Sequence, residues 1–140
     1  QKSGVVIIRG TAPINSLIQI LPKIQKKGPN IKIIAAISMD LFRMQTKDYQ
    51  ESIISFSEWN DSMIITNTSI KLMQKWIKNR FVANYSLAPD FDNRWRTGGT
   101  VDQIIIESRL DPGSIWDAIK CFANERESRL ELLKKEIPNY

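Results

Sequence analysis

Two kinds of apolar spacing alternate along the chain. "GVVIIRG" (4–10) places four consecutive aliphatics between glycines, the pattern of a strand buried on both faces. "IKIIAAI" (31–37) predicts a second such strand and "SMIIT" (62–66) a third, shorter one, while "FVANYSL" (81–87) reads as a fourth. Between them the spacing shifts to three and four residues. Ile14, Leu17, Leu21 and Ile24 predict a helix that Thr11 can cap. Pro22 falls inside it, which predicts a kink or an early stop, and "KKGPN" ends it. Ser38 or Asp40 can start helical turns after the second strand. "SIKLMQKWIKN" (69–79) predicts a helix with Ile70, Met73 and Ile77 on one stripe and Leu72 and Trp76 beside it.

The end of the chain is marked by capping chemistry. "APDFDNRWRTGG" is a polar, turn-rich loop. Thr100 and Gln103 then form a capping box that starts a helix through Ser108. Asp111 with Pro112 at the first helical position is the strongest helix start in the sequence. Beyond it Ile115, Ile119, Phe122, Leu130, Leu133 and Ile137 keep the helical spacing, with Arg126 filling a gap; Glu125 with Arg129 and Glu131 with Lys135 add i,i+4 support. Strands written as continuous aliphatic runs, alternating with helices, predict a three-layer α/β/α sandwich with a mostly parallel sheet. The 140 residues suit a single domain (1–140), with 123–140 as a helical C-terminal extension.

Composition narrows the chemistry. Histidine is absent, so Ser-His and Cys-His nucleophile pairs and histidine-ligated metal sites are excluded within the chain. Cys121 is the only cysteine and has no internal partner for a disulfide, which makes a reducing compartment the expectation. No apolar run approaches a membrane span. The net charge of +5 is spread among acids, and its densest cluster, "KIQKK" at 23–27, sits at a predicted helix end; solvated faces explain it better than nucleic acid does. "QKSGVVII", with no initiating methionine and a strand almost at once, reads as a piece of a longer chain divided in an interdomain linker.

Candidate chemistry is sparse. "RGTAP" after the first strand has one glycine rather than the spaced three of a dinucleotide-binding turn, and reads as a helix-capping turn. "NRWRTGGT" (93–100) is the better candidate. There Arg94 and Arg96 could clamp a phosphate or carboxylate, with Gly98, Gly99 and Thr100 presenting backbone N–H groups where the next helix begins. The alternative is that the glycines permit a tight turn and the arginines pair with acids on a neighbouring domain. Trp76 and Trp116 sit beside apolar residues and read as core, whereas Trp95 reads as facing a partner. Asp40, Asp48, Glu51 and Glu58 form no isolated pair in an apolar setting, which gives little support to a general acid/base role, and no metal-ligand spacing is present.

"SMDLFRMQTKDYQESII" (38–54) resembles the segment after the second strand in the C-terminal domain of transketolases, with Ser38, Leu41, Phe42, Gln45, Tyr49 and Ser52 in the family's order. "GVVIIRGTAPINSLIQIL" is similar to that domain's first strand, polar turn and helix, "SMIITN" to its third strand and "KLMQKWI" to its tryptophan-bearing helix. "DFDNRWRTGGTVDQIIIESRLDPGSIWDAIKCF" resembles its closing glycine loop and paired helices, in the form of a bacterial branch. Two departures stand out: Thr66-Asn67 replaces a Glu-Ala pair common in the family, and the stretch after Phe122 is longer than the usual ending. The resemblance implies a structural and interface domain of a cytoplasmic homodimer that transfers a two-carbon ketol unit between sugar phosphates. Thiamine diphosphate, its divalent metal (Mg or Ca) and the catalytic groups would belong to the upstream thiamine-binding domains of the same chain. Leu41 and Phe42 would then pack under the sheet edge, while Gln45 and Tyr49 fix the turn and the next helix. The competing readings are the equivalent domain of a 2-oxo acid dehydrogenase or deoxyxylulose phosphate synthase, and a stand-alone anion-binding regulatory module.

Overall fold

The computed structural model describes residues 2–94, 96 and 98–140. Three strands, β1 (Val5–Arg9), β2 (Lys32–Ala35) and β3 (Ser62–Thr66), form an all-parallel sheet in the order β2-β1-β3. Val5 is opposite Lys32 on one side and Ser62 on the other. The architecture is thus mixed α/β, with a small open sheet covered on both faces, compatible with an α/β sandwich.

Strand periodicity sorts the core into two clusters. Val6, Ile8, Met63 and Ile65 face α1 (Thr11–Lys27) and α7 (Pro112–Asn124), which contribute Leu17, Ile20, Ile115 and Phe122. Val5, Ile7 and Ile64 face the other way, toward Met39, Met73, Trp76 and Val82. The aliphatic runs in β1 and β3 are continuous because both faces of these strands are covered.

Where the structure departs from the sequence pattern, the cause is local hydrogen bonding or position in the sheet. α1 starts at Gly10, whose extended positive-φ backbone makes it the cap; Thr11 is the first helical residue and supplies no cap bond. Pro22 neither stops the helix nor shortens it: the helix runs on to Lys27. Pro22 and Ile18 both lie on the exposed face, where the Ile18 carbonyl that loses its donor can bond to water. β2 is an edge strand with exposed Ile33 and Ala35, and it is not buried on both faces.

The fourth strand does not form. Residues 80–85 make a helix, α5 (Arg80–Tyr85), because the Asn79 side chain accepts from the N–H groups of Phe81 and Val82 at 2.9 and 3.1 Å and both of those side chains are buried. Only Leu87 reaches the sheet, in a single parallel bridge to Ile65. The helix expected at 69–79 is a shorter 3₁₀ helix, Ile70–Trp76, with Met73 and Trp76 buried and Leu72 exposed.

The capping signals at the end of the chain hold. The Thr100–Gln103 box opens α6 (Val101–Glu107), and Asp111 caps α7. The helical spacing beyond Phe122 is divided at Glu125, where α8 (Arg126–Glu136) begins. Arg129 turns inward from α8 to Asp61, and Leu133 is buried beside it in sequence phase. Among the described residues no helix is long and apolar enough to cross a membrane.

Candidate functional site

In a parallel sheet whose chain leaves one strand to one side and returns on the other, the loops after those strands part and leave a crevice at their carboxyl ends. Here that point lies between β1 and β3. A crevice of 490 Å³ opens there, bounded by Ala12 after β1 and by Asn67 and Ser69 after β3. Its remaining wall comes from Pro89, Asp90, Arg94 and Arg96 of the long loop and from Ile104, Ile105 and Leu110. Gly10 joins β1 to α1 at a positive φ of 104°, and a Cβ there would meet the exposed Asn67 carboxamide.

The sequence-predicted anion loop reaches this crevice only in part. Arg94 and Arg96 line it, whereas Gly98, Gly99 and Thr100 do not. The Arg96 guanidinium is occupied by the protein. It forms a forked pair with Asp92 at 3.0 and 2.9 Å, donates to the carbonyls of Pro89, Arg94 and Glu107, and stacks over Phe91. This hydrogen bonding holds the Asp92 carboxyl below its ordinary value. The backbone N–H of Thr100 is likewise used, donating to Gln103 Oε1 at 2.9 Å. Gly98 and Gly99 adopt positive φ (81° and 105°), the turn geometry that glycine permits. Among the described residues, Arg94 is the cation of this loop whose guanidinium is not engaged. Trp95, expected to face a partner, lies outside the described residues.

Asp90 was not singled out by the sequence. Its carboxylate caps the 3₁₀ helix, accepting from Ser69 Oγ at 2.6 Å and from the Ile70 N–H at 3.1 Å. Burial works to raise the carboxyl, but these two bonds, with its own backbone N–H and the charge of Lys71, outweigh it and hold the group below its usual value. The partners are 20 residues apart in sequence, so no local motif announces them. Asn67 and Ser69 were equally invisible as site residues, although a cluster of polar side chains directly after a buried parallel strand is a signal worth reading.

A second concavity carries the segment that resembles transketolases. An open groove of 620 Å³ runs beside β2, and Ser38, Leu41, Phe42, Gln45, Tyr49 and Ser52 all line it. Two short helices line it, α2 (Met39–Arg43) capped by Ser38 and α3 (Lys47–Ile53) capped by Thr46; α4 (Phe56–Asn60), with a Ser55–Glu58 capping box, follows but contributes no lining residue. Phe42 packs into an aromatic trio with Trp59 and Trp76 at centroid distances of 5.8 to 6.0 Å. Leu41 does not: it is 60% exposed rather than tucked under the sheet edge. The α2–α3 turn is held chiefly by Gln50, whose amide donates to the carbonyls of Arg43 and Gln45 at 3.2 and 2.8 Å, while Gln45 donates to the Leu41 carbonyl and Tyr49 stays half exposed.

Three of the four carboxylates noted from the sequence sit in separate contacts, and Asp48 is exposed in the first turn of α3. Asp40 pairs with Lys75, Glu51 accepts from the Phe56 N–H, and Glu58 bridges Lys2 and Lys32. Among the described residues no group of three or more histidine, cysteine, aspartate or glutamate side chains could hold a metal ion. Comparison with known protein families and with curated proteins gave no match to this chain.

Proposed function

We propose that this chain is the structural C-terminal domain of a transketolase-like enzyme, and that the groove beside β2 is its docking face for the thiamine-binding domains. The whole enzyme would be a cytoplasmic homodimer transferring a two-carbon ketol unit between sugar phosphates, with thiamine diphosphate and its metal held upstream. One observation carries this reading. The six residues through which the sequence resembles that family converge on one groove, next to a strand edge that no other strand covers. Ile37, 84% exposed, and Leu41 stand on its rim, an apolar surface suited to a second protein surface.

The test combines the chain with separately produced thiamine-binding domains of a transketolase. Alone, the chain should show no ketol transfer and no thiamine diphosphate binding. Mixed with those domains it should co-elute with them, and Ile37→Asp should abolish co-elution while leaving the chain's own unfolding midpoint unchanged. Ketol transfer by the chain alone, or co-elution indifferent to Ile37→Asp, would overturn the reading.

A further inference from the structure

The crevice between the ends of β1 and β3 is separate from the docking groove, and its charges are unusual for an anion site. Three charged side chains line it, Asp90, Arg94 and Arg96. Arg96 is neutralised by Asp92 and has its donors taken up by carbonyls. This leaves one cation, Arg94, and one anion, Asp90, among the lining side chains; the Lys71 ammonium acts on Asp90 from outside the lining. Each Asp90 oxygen accepts a single bond, so each keeps a lone pair for a ligand donor. Arg94 presents a guanidinium fork with no partner among the described residues. The rest of the lining is chiefly apolar, from Ala12, Pro89, Val101, Ile104, Ile105 and Leu110.

We infer that this crevice binds a free α-amino acid with an aliphatic side chain, the carboxylate on Arg94, the ammonium on Asp90 and the side chain against Ile104 and Ile105. A zwitterion is the ligand that satisfies both charges and leaves neither unpaired. A sugar phosphate fits worse. Its dianion would face the Asp90 carboxylate with Arg94 as the one unengaged cation in the lining, and its hydroxyls would meet aliphatic carbon. The 490 Å³ volume lies within the range of small-ligand clefts, and its place at the carboxyl end of a parallel sheet is where such folds hold ligands. The inference does not depend on the transketolase reading, since none of its residues lines the docking groove.

Titration calorimetry on the 140-residue chain tests it with four probes: L-leucine, 4-methylpentanoate (no ammonium), 3-methylbutylamine (no carboxylate) and ribose 5-phosphate. Leucine should bind saturably, and each analogue that lacks one charge should bind about tenfold more weakly or worse, the loss expected for one charge-assisted contact. Arg94→Gln, a surface change, should weaken leucine to a similar degree. Val101→Glu, at an exposed position on the rim, should weaken it as well, and circular dichroism should show both variants folded. Absence of saturable leucine binding overturns the proposal. So does binding unchanged in Arg94→Gln, equal affinity for 4-methylpentanoate, or tighter binding of ribose 5-phosphate.

Discussion

Replacing Arg129 with alanine should cost about 4 kcal/mol, because it strips a buried carboxylate of its main partner. Arg129 on α8 is 2% exposed and Asp61, just before β3, is 3% exposed. Nε and Nη2 of Arg129 donate to Asp61 Oδ1 at 2.9 and 2.8 Å, and Nη1 donates to the Phe122 carbonyl at 2.6 Å. The guanidinium also lies 3.8 Å from the Phe122 ring centroid. Without Arg129, the partner left to Asp61 among the described residues is Arg126, whose Nε donates to Oδ2 at 2.6 Å, and the Phe122 carbonyl loses this donor. Breaking a buried pair costs about 3–5 kcal/mol, and the residual Arg126 contact argues against the top of that range. With a urea dependence of about 2 kcal/mol per molar, the denaturation midpoint should fall by about 2 M with its slope unchanged. Arg129→Lys keeps a charge near Asp61 but cannot also hold the Phe122 carbonyl through a planar fork, so its midpoint should fall between the two. Arg80, which pairs with Glu136 on the same helix in an exposed setting, is the internal control: Arg80→Ala should leave the midpoint nearly where it is. Equal, small shifts for Arg129→Ala and Arg80→Ala would refute the reasoning, since burial would then have made no difference.

Three more outcomes follow from single positions. Glu58 is pushed up by burial, but Lys32, Lys2 and the Ser55 N–H more than offset this and bring it down to about 2 from an ordinary 4.5. A depressed carboxyl stabilises fully above its unfolded value, so stability should fall as pH drops from 4.5 toward 2, and Glu58→Gln should flatten that limb in urea titrations across the window. Gly10→Ala should destabilise by at least the roughly 1–3 kcal/mol of a glycine-only backbone conformation, measured by thermal unfolding, and adding Asn67→Gly should recover the steric part alone. Asp111→Ala removes the acceptor for the Ser114 N–H and hydroxyl at 3.0 and 2.6 Å; it should cost about 1 kcal/mol and speed hydrogen exchange in the first turn of α7.

The legible parts of the fold were those specified within a few residues. β3 was readable as a short continuous aliphatic run, and the Thr100 box and the Asp111-Pro112 start because a cap and its N–H partner are three residues apart. "FVANYSL" was misread because an apolar run this short suits a strand or a helix equally, and Asn79, two residues before it, decides the matter through two hydrogen bonds. In the candidate site the sequence pointed to Arg94 and Arg96 alike. Only the folded loop separates them, by bringing the Pro89 and Glu107 carbonyls to Arg96.

By itself the sequence determined an α/β chain with parallel strands, the ends of its capped helices, and the absence of histidine chemistry. Tertiary structure alone decided that β2 lies at an edge with a groove beside it, that Asp90 joins Arg94 in a crevice, and that Arg129 is buried on Asp61. The division has a physical cause. Aliphatic continuity and capping act through neighbouring backbone groups, whereas exposure and pairing of a charge depend on which distant segment arrives beside it.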